Sequence, residues 1–167
     1  MANKEYFESG MSFVFDDQSV FLPERVPFLE RFQHVKACDF VSLYHKKSRK
    51  ILLFIEAKSS APYQPEPLKS YLNSIYSQFW HSLFFYISLV FDRHENAAAG
   101  LPDKLKQKQN LKKPIMCVLV VRSHKKEWLQ PLQEGLRKEM LSMKKVFAQL
   151  DIVVTNEQGA RKYGLVR

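Results

Sequence analysis

Three residues set what this chain could do chemically. Glu56 and Lys58 stand two apart at the end of an apolar run, "ILLFIEAK", and Asp39 lies inside another, "ACDFV". Side chains alternate along a strand, so Glu56 and Lys58 project to one face and Ala57 to the other, where only a small group fits. If the two runs form a hairpin closing near Lys47 and Ser48, Asp39 comes opposite the Glu56 region, and two carboxylates converge beside one ammonium. Such carboxylates are costly together unless a hard cation sits between them, and Mg²⁺ takes one or two protein carboxylates while keeping its waters. Mg²⁺ or Mn²⁺ held by Asp39, Glu56 and the backbone carbonyl of Ala57, with Lys58 positioning a water or neutralising charge, is the chemistry of metal-assisted phosphodiester hydrolysis. The plainer readings are a surface ion pair for Glu56 and Lys58 and, for Asp39, a buried acid satisfied by backbone donors.

A site of this kind needs rigid elements beneath it. "VKACDFVSLY" (35–44) alternates and is rich in Val, Phe and Tyr, and the polar "HKKSRK" joins it to "ILLFIEAK", so the two runs read as antiparallel neighbours. Upstream, "MSFVF" (11–15) and "SVFL" (19–22) read as short strands paired in a hairpin, and "ERVPFLERFQ" as a turn or two of helix between prolines. "SSAPYQPEP" is a loop by its prolines. A long helix follows from about Leu68 to Phe91, with Leu68, Leu72, Ile75, Phe79, Leu83, Tyr86 and Val90 on one face. Ser74, Ser77, Gln78, His81 and Ser88 lie on its less apolar side. Gln78 or His81 is a candidate to face the site; the plainer reading, and the preferred one, is a stripe packed on the sheet with its hydroxyls bonded to the helix's own backbone. "IMCVLVV" (115–121) is a fully apolar strand, about Glu127 to Gln149 a second helix with Pro131 in its first turn, "DIVV" (151–154) the last strand, and Asn156 the cap of a short closing helix. This order predicts a single α/β domain with a mixed central sheet flanked by helices, in which ligands gather at strand ends.

Composition is consistent with that plan. A chain of 167 residues with 46% apolar residues can bury a real core. The longest apolar stretch, Ile75 to Phe91, is broken by polar residues and falls short of the ~20 that a membrane span needs. Met1 to Gly10 lacks the basic start and apolar core of a signal peptide. Cys38 and Cys117 sit in apolar runs and suit reduced core thiols in a cytoplasm; two thiols are too few for a cysteine zinc site. Charge is unevenly placed. Up to Glu30, six acids face two bases, leaving −4 there and +13 on the remainder of a chain whose net charge is +9. Such an excess favours a polyanionic partner.

With Asp39 in "ACDFV", and Glu56 and Lys58 in "FIEAK", the chain resembles the PD-(D/E)xK nuclease superfamily over roughly residues 35 to 155, and Glu56-Ala57-Lys58 is its single acid-x-Lys triplet. The resemblance implies a restriction-endonuclease-like core and a Mg²⁺-dependent nuclease acting on DNA in preference to RNA, in DNA processing or defence against foreign DNA. It also implies an upstream metal-binding acid, for which Glu24 is the choice over Glu8 and Glu30. Cys38 stands where the family often has proline, and Gln78 has Ser82 four residues on where the RecB-like branch has tyrosine.

Nucleic-acid contacts are expected from Lys104, Lys106, Lys108, Lys112 and Lys113, a tract with no acid after Asp103, and from His124, Lys125 and Lys126 after a strand end. The tract reads equally well as a solvated loop. The aromatic residues mostly fall at core spacing and offer no dedicated base-stacking platform. So small a domain leaves specificity to nucleic-acid structure, a homodimer or a partner protein, and no membrane. Two other classes remain: a non-catalytic subunit of the same fold that binds nucleic acid or a partner protein, and a protein-interaction adaptor.

Overall fold

The computed structural model describes residues 3–27, 29, 34–46, 48–94 and 100–167. Lys47 and Glu30 fall outside these, as do residues 28 and 31–33 of the segment expected to hold a turn or two of helix. Strands β1 (Asn3–Glu8) and β2 (Met11–Asp16) form a two-stranded ribbon. β3 (Val20–Phe21), β4 (Phe40–Lys46), β5 (Arg49–Lys58), β6 (Ile115–Val121) and β7 (Leu150–Asn156) form one sheet in sequence order. β3, β4 and β5 pair antiparallel, and β5, β6 and β7 pair parallel. The helices are α1 (Pro65–Val90), α2 (Lys126–Glu139), α3 (Leu141–Val146) and α4 (Glu157–Lys162). The mixed sheet and flanking helices are those the sequence predicts.

Why β5 is apolar throughout is now visible. Leu52 and Phe54 face α1 and α2, while Ile51, Leu53, Ile55 and Ala57 face the β1–β2 ribbon, α4 and the last residues of the chain. Both faces of the strand are buried, so both sets of side chains are hydrophobic. α1 buries the predicted stripe from Leu72 to Val90. It begins earlier than predicted because Pro65 occupies its first turn, where a missing N–H costs nothing. Asn156 caps α4 through Oδ1, which accepts from Gly159 N at 3.0 Å.

Four local expectations are corrected. β2 pairs with β1, not with the Val20–Phe21 strand, because Ser9 and Gly10 both adopt positive φ (49° and 77°) and turn the chain in two residues. β1 escapes a sequence reading because Tyr6 is its single buried residue. The second strand region starts at Phe40 and not at Val35, since residues 36–38 bond to α1 side chains in place of a neighbouring strand. The predicted second helix bends at Met140 into α2 and α3, burying Met140 and Met143 together. Pro131 is its sixth residue, beyond the first turn, so one intrahelical bond is forgone.

The ribbon is fastened by aromatic packing. Phe40, 1% exposed, has its ring centroid 5.0 Å from that of Phe13, 5.1 Å from Phe15 and 6.0 Å from Tyr6. The chain end adds Val14 N–H to Leu165 O (3.1 Å) and Arg167 N–H to Ser12 O (3.0 Å). Both cysteines are buried and unpaired. Among the described residues no helix is long and apolar enough to cross a membrane. Phe40→Ala should cost about 3–5 kcal/mol of unfolding free energy, read from the midpoint shift in urea denaturation, and should loosen the ribbon before the sheet.

Candidate functional site

β4 stops three residues short of the end of β5. The last pairs run Val41↔Phe54 and Phe40↔Ile55, and β5 continues through Glu56, Ala57 and Lys58 along an edge that β4 no longer covers. Side chains take over there. Asp39 Oδ2 accepts the Ala57 N–H at 2.7 Å, and Ser9 Oγ donates to the Ala57 carbonyl at 2.9 Å. The Ala57 carbonyl, expected as a metal ligand, is therefore engaged on one lone pair and retains the other.

The approach to Asp39 is held by α1. Ser82 Oγ accepts the Cys38 N–H at 2.7 Å, His81 Nδ1 accepts the Lys36 N–H at 3.1 Å, and Gln78 Nε2 donates to the Ala37 carbonyl at 3.4 Å. The less apolar side of the helix thus serves as a clamp on residues 36–38 more than as a self-bonded stripe. Gln78 also joins the site itself: its Nε2 donates to Glu56 Oε1 at 2.7 Å.

Glu56 is 1% exposed and points to the helical face. Oε1 is taken by Gln78 and by an ion pair with Lys58, whose side chain is 35% exposed. Oε2 is buried and meets no hydrogen-bond donor among the described residues; Gln78 Oε1 and the Tyr71 hydroxyl are buried without partners too. Native proteins rarely leave such atoms unsatisfied, and three around one carboxylate mark a place for an ion or water. Among the described residues no group of three or more His, Cys, Asp or Glu side chains could hold a metal ion unaided. Two carboxylates and a carbonyl supplemented by waters is the smaller set that Mg²⁺ takes.

Electrostatics point the same way. Burial, then the neighbouring Glu56 charge, raises Asp39 to about 8, against the pull of the Ala57 N–H. Burial raises Glu56 to about 7 even though Lys58 and Gln78 favour its ionised form. Glu24, in the short helical turn Pro23–Arg25, lies near enough to Asp39 to interact with it; burial, then the charge of Glu8, raises its pKa as well. Burial alone would depress Lys58, but Glu56, Asp39 and Glu24 outweigh it and hold the ammonium charged. Three carboxyl groups therefore act on one lysine, with Glu8 near Glu24 and Asp39 besides, an arrangement short of positive charge.

Of the residues expected from the sequence, Asp39, Glu56, Ala57, Lys58, Gln78 and Glu24 come together. The nucleic-acid set divides. Lys125 and Lys126 are exposed at the end of the sheet where Lys58 lies, since Lys58 pairs with Val121. His124 turns inward, buried, with Nε2 3.3 Å from the Trp128 carbonyl and its pKa lowered by burial. The Lys104–Lys113 tract lies at the opposite end, where the Pro114 carbonyl accepts from Leu52, about 20 Å of strand away from Lys58. Lys104 there pairs with Asp16 at 2.7 Å and Lys106 with Asp103 at 2.9 Å. Lys104 and Lys113, with Lys50 and His45, line a separate cleft of about 670 Å³. Sequence reasoning ranked Glu8 behind Glu24 and passed over Ser9 and Tyr71. Tyr71 was findable, because Tyr71, Ser74, Gln78 and Ser82 repeat at helical spacing.

Comparison with family models, with curated proteins and with solved structures returned no match to this chain.

The raised carboxyls fix a sign for pH dependence. Asp39 in the folded state keeps its proton to about 8, whereas the unfolded chain releases it near 3.8. Its contribution to stability is whole below about pH 4 and is lost as pH rises toward 8. In EDTA, Asp39→Asn, which keeps an oxygen for the Ala57 N–H, should gain Tm on the wild type steadily from pH 5 to pH 8. A constant difference across that range would show that Asp39 is ionised throughout.

Proposed function

We propose that this protein is a divalent-metal-dependent nuclease that hydrolyses phosphodiester bonds, of DNA in preference to RNA, with Asp39 and Glu56 as ligands of Mg²⁺ or Mn²⁺ and Lys58 beside them. The observation that carries this reading is Glu56 Oε2, a buried carboxylate oxygen without a donor, on an acid whose other oxygen is fixed and whose neighbours are carboxyls. An ordinary structural ion pair would need none of that: Lys58 already satisfies Glu56, and Asp39 and Glu24 would be pure cost. A hard cation offsets the excess negative charge and occupies the orphaned oxygen together. When bound, it supplies a bound water of lowered pKa and stabilises charge on the phosphate.

The chain's own groups prepare that position. Gln78 and Lys58 hold Glu56 Oε1, so that Oε2 faces the site. The Ala57 N–H holds Asp39 Oδ2 and leaves Oδ1 for the ion. Glu24, at the mouth, adds a third carboxyl through its contact with Asp39. Lys58, kept protonated, has donors left to hold an attacking water or a phosphate oxygen and to offset developing charge. Arg122, half-exposed beside the Lys58 strand end, and Lys125 and Lys126 supply positive charge for neighbouring phosphates.

The finer reading of the fold belongs to the same proposal. An acid at the head of β4, an acid-x-Lys triplet at the tail of β5, a crossover through α1 and two further parallel strands are the order of a restriction-endonuclease-like core. Buried, unpaired Cys38 and Cys117 accord with a reducing compartment such as the cytoplasm.

Cleavage of duplex, branched and single-stranded DNA and of RNA, with Mg²⁺, Mn²⁺ or EDTA, tests the reading. Metal-dependent cutting is expected, reduced about 100-fold or more by Asp39→Asn, Glu56→Gln and Lys58→Ala, each with an unchanged circular-dichroism spectrum. Undiminished cutting by Glu56→Gln, or a folded wild type that binds DNA and never cuts it, overturns it.

A further inference from the structure

The segment leaving the site toward α1 carries an aromatic residue that does not enter the core. Tyr63, five residues beyond Lys58, is 73% exposed. It lies against Trp128, in the first turn of α2 and 38% exposed, with ring centroids 5.9 Å apart and planes 28° from parallel. The Lys125 ammonium stands 4.9 Å from the centre of the Trp128 ring, and the buried His124 meets the indole edge-on at 5.5 Å. Lys58 and Val121 are paired, so Tyr63 and Trp128 follow the two strand ends where the Glu56 site sits, and α2 packs on the face to which Glu56 points.

We propose that Tyr63 and Trp128, with Lys125, form a stacking platform for an unpaired nucleobase, so that the polynucleotide recognised at this end of the sheet is single-stranded. The inference rests on the nucleic-acid reading of the adjacent site. A duplex hides its base faces within its own stack, whereas a single strand offers them, and base–aromatic stacking accepts any base because each has a π-face. His124 braces Trp128, and Pro62 restricts the backbone beside Tyr63, so the pair is pre-set and loses little freedom on binding. Tyr63's exposure leaves a ring face open, onto which a base would continue the stack over Trp128. Lys125 and Lys126 are exposed next to it for the flanking phosphates. Sequence spacing offers no sign of this pair, because Tyr63 and Trp128 are 65 residues apart and only folding brings them together.

Fluorescence anisotropy in EDTA, where nothing is cut, reads this directly with three labelled probes of equal length: oligothymidine, an abasic strand and a duplex. The wild type should prefer oligothymidine to the abasic strand. Tyr63→Ala and Trp128→Ala should each weaken oligothymidine about 10-fold, leave the abasic strand and duplex within about two-fold, and Tyr63→Phe should restore binding. Equal losses on the abasic strand, no loss on oligothymidine, or no binding of oligothymidine at all overturns the platform. Because the readout is binding, a protein that stacks bases and never cuts sinks the nuclease reading alone. One that cuts while Tyr63→Ala and Trp128→Ala bind oligothymidine normally sinks the platform alone.

Discussion

The hydrogen bond from the Ala57 N–H to Asp39 Oδ2 is the contact on which the site depends. It forms where β4 has ended and β5 has not, and it replaces a backbone partner with a carboxylate. A neutral amide side chain would satisfy the N–H as well. A carboxylate does something further: it brings a second acid to Glu56 at a position set by the sheet and not by a loop. The rest of the neighbourhood supports this placement, with Ser9 closing the same peptide from the ribbon and Ser82, His81 and Gln78 holding the three residues before Asp39.

Such an arrangement is poor engineering for stability alone. Burying Glu56 and Asp39 side by side costs free energy that one lysine cannot recover, and apolar residues of similar size would serve the core better. The cost is confined, however. Among the described residues the buried side-chain oxygens without a hydrogen-bond partner, Glu56 Oε2, Gln78 Oε1 and the Tyr71 hydroxyl, all lie around the same carboxylate. Unsatisfied groups gathered around one carboxylate, and not scattered through the core, are what gives the proposed site its place in the fold.

How much of this was legible beforehand follows from which interactions are local. β5, β6, α1 and the α4 cap are written in continuous apolar runs, helical periodicity and a capping asparagine, all readable within a short window. The juxtaposition of Asp39 with Glu56 was readable because a hairpin with a short connection fixes its own register. The β1–β2 pairing was not, since β1 has one buried residue and its signal is the Ser9–Gly10 turn. Nor was the early end of β4, because the sequence of 35–39 suits a strand and is overruled by α1 side chains more than forty residues on. Glu8 and the Tyr63–Trp128 pair depend wholly on tertiary assembly. Where the lysine tract lies relative to the acids was not legible either, because it is the parallel β5–β6 pairing that puts the two at opposite ends of the sheet.

That parallel pairing also orders events in time. Glu8, Glu24, Asp39, Glu56, Lys58 and Gln78 all precede residue 79, and β4 and β5 can zip as a local hairpin with every carboxylate hydrated. β6 reaches β5 only across the whole of α1 and the connection after it, the kind of long-range closure that folds slowly. Glu56 stands beside Leu119 in that pairing, so the sheet under the site is complete only after this closure. The acids and Lys58 thus lie close together in the chain, while the sheet that holds them rigid is completed only by a strand more than fifty residues away.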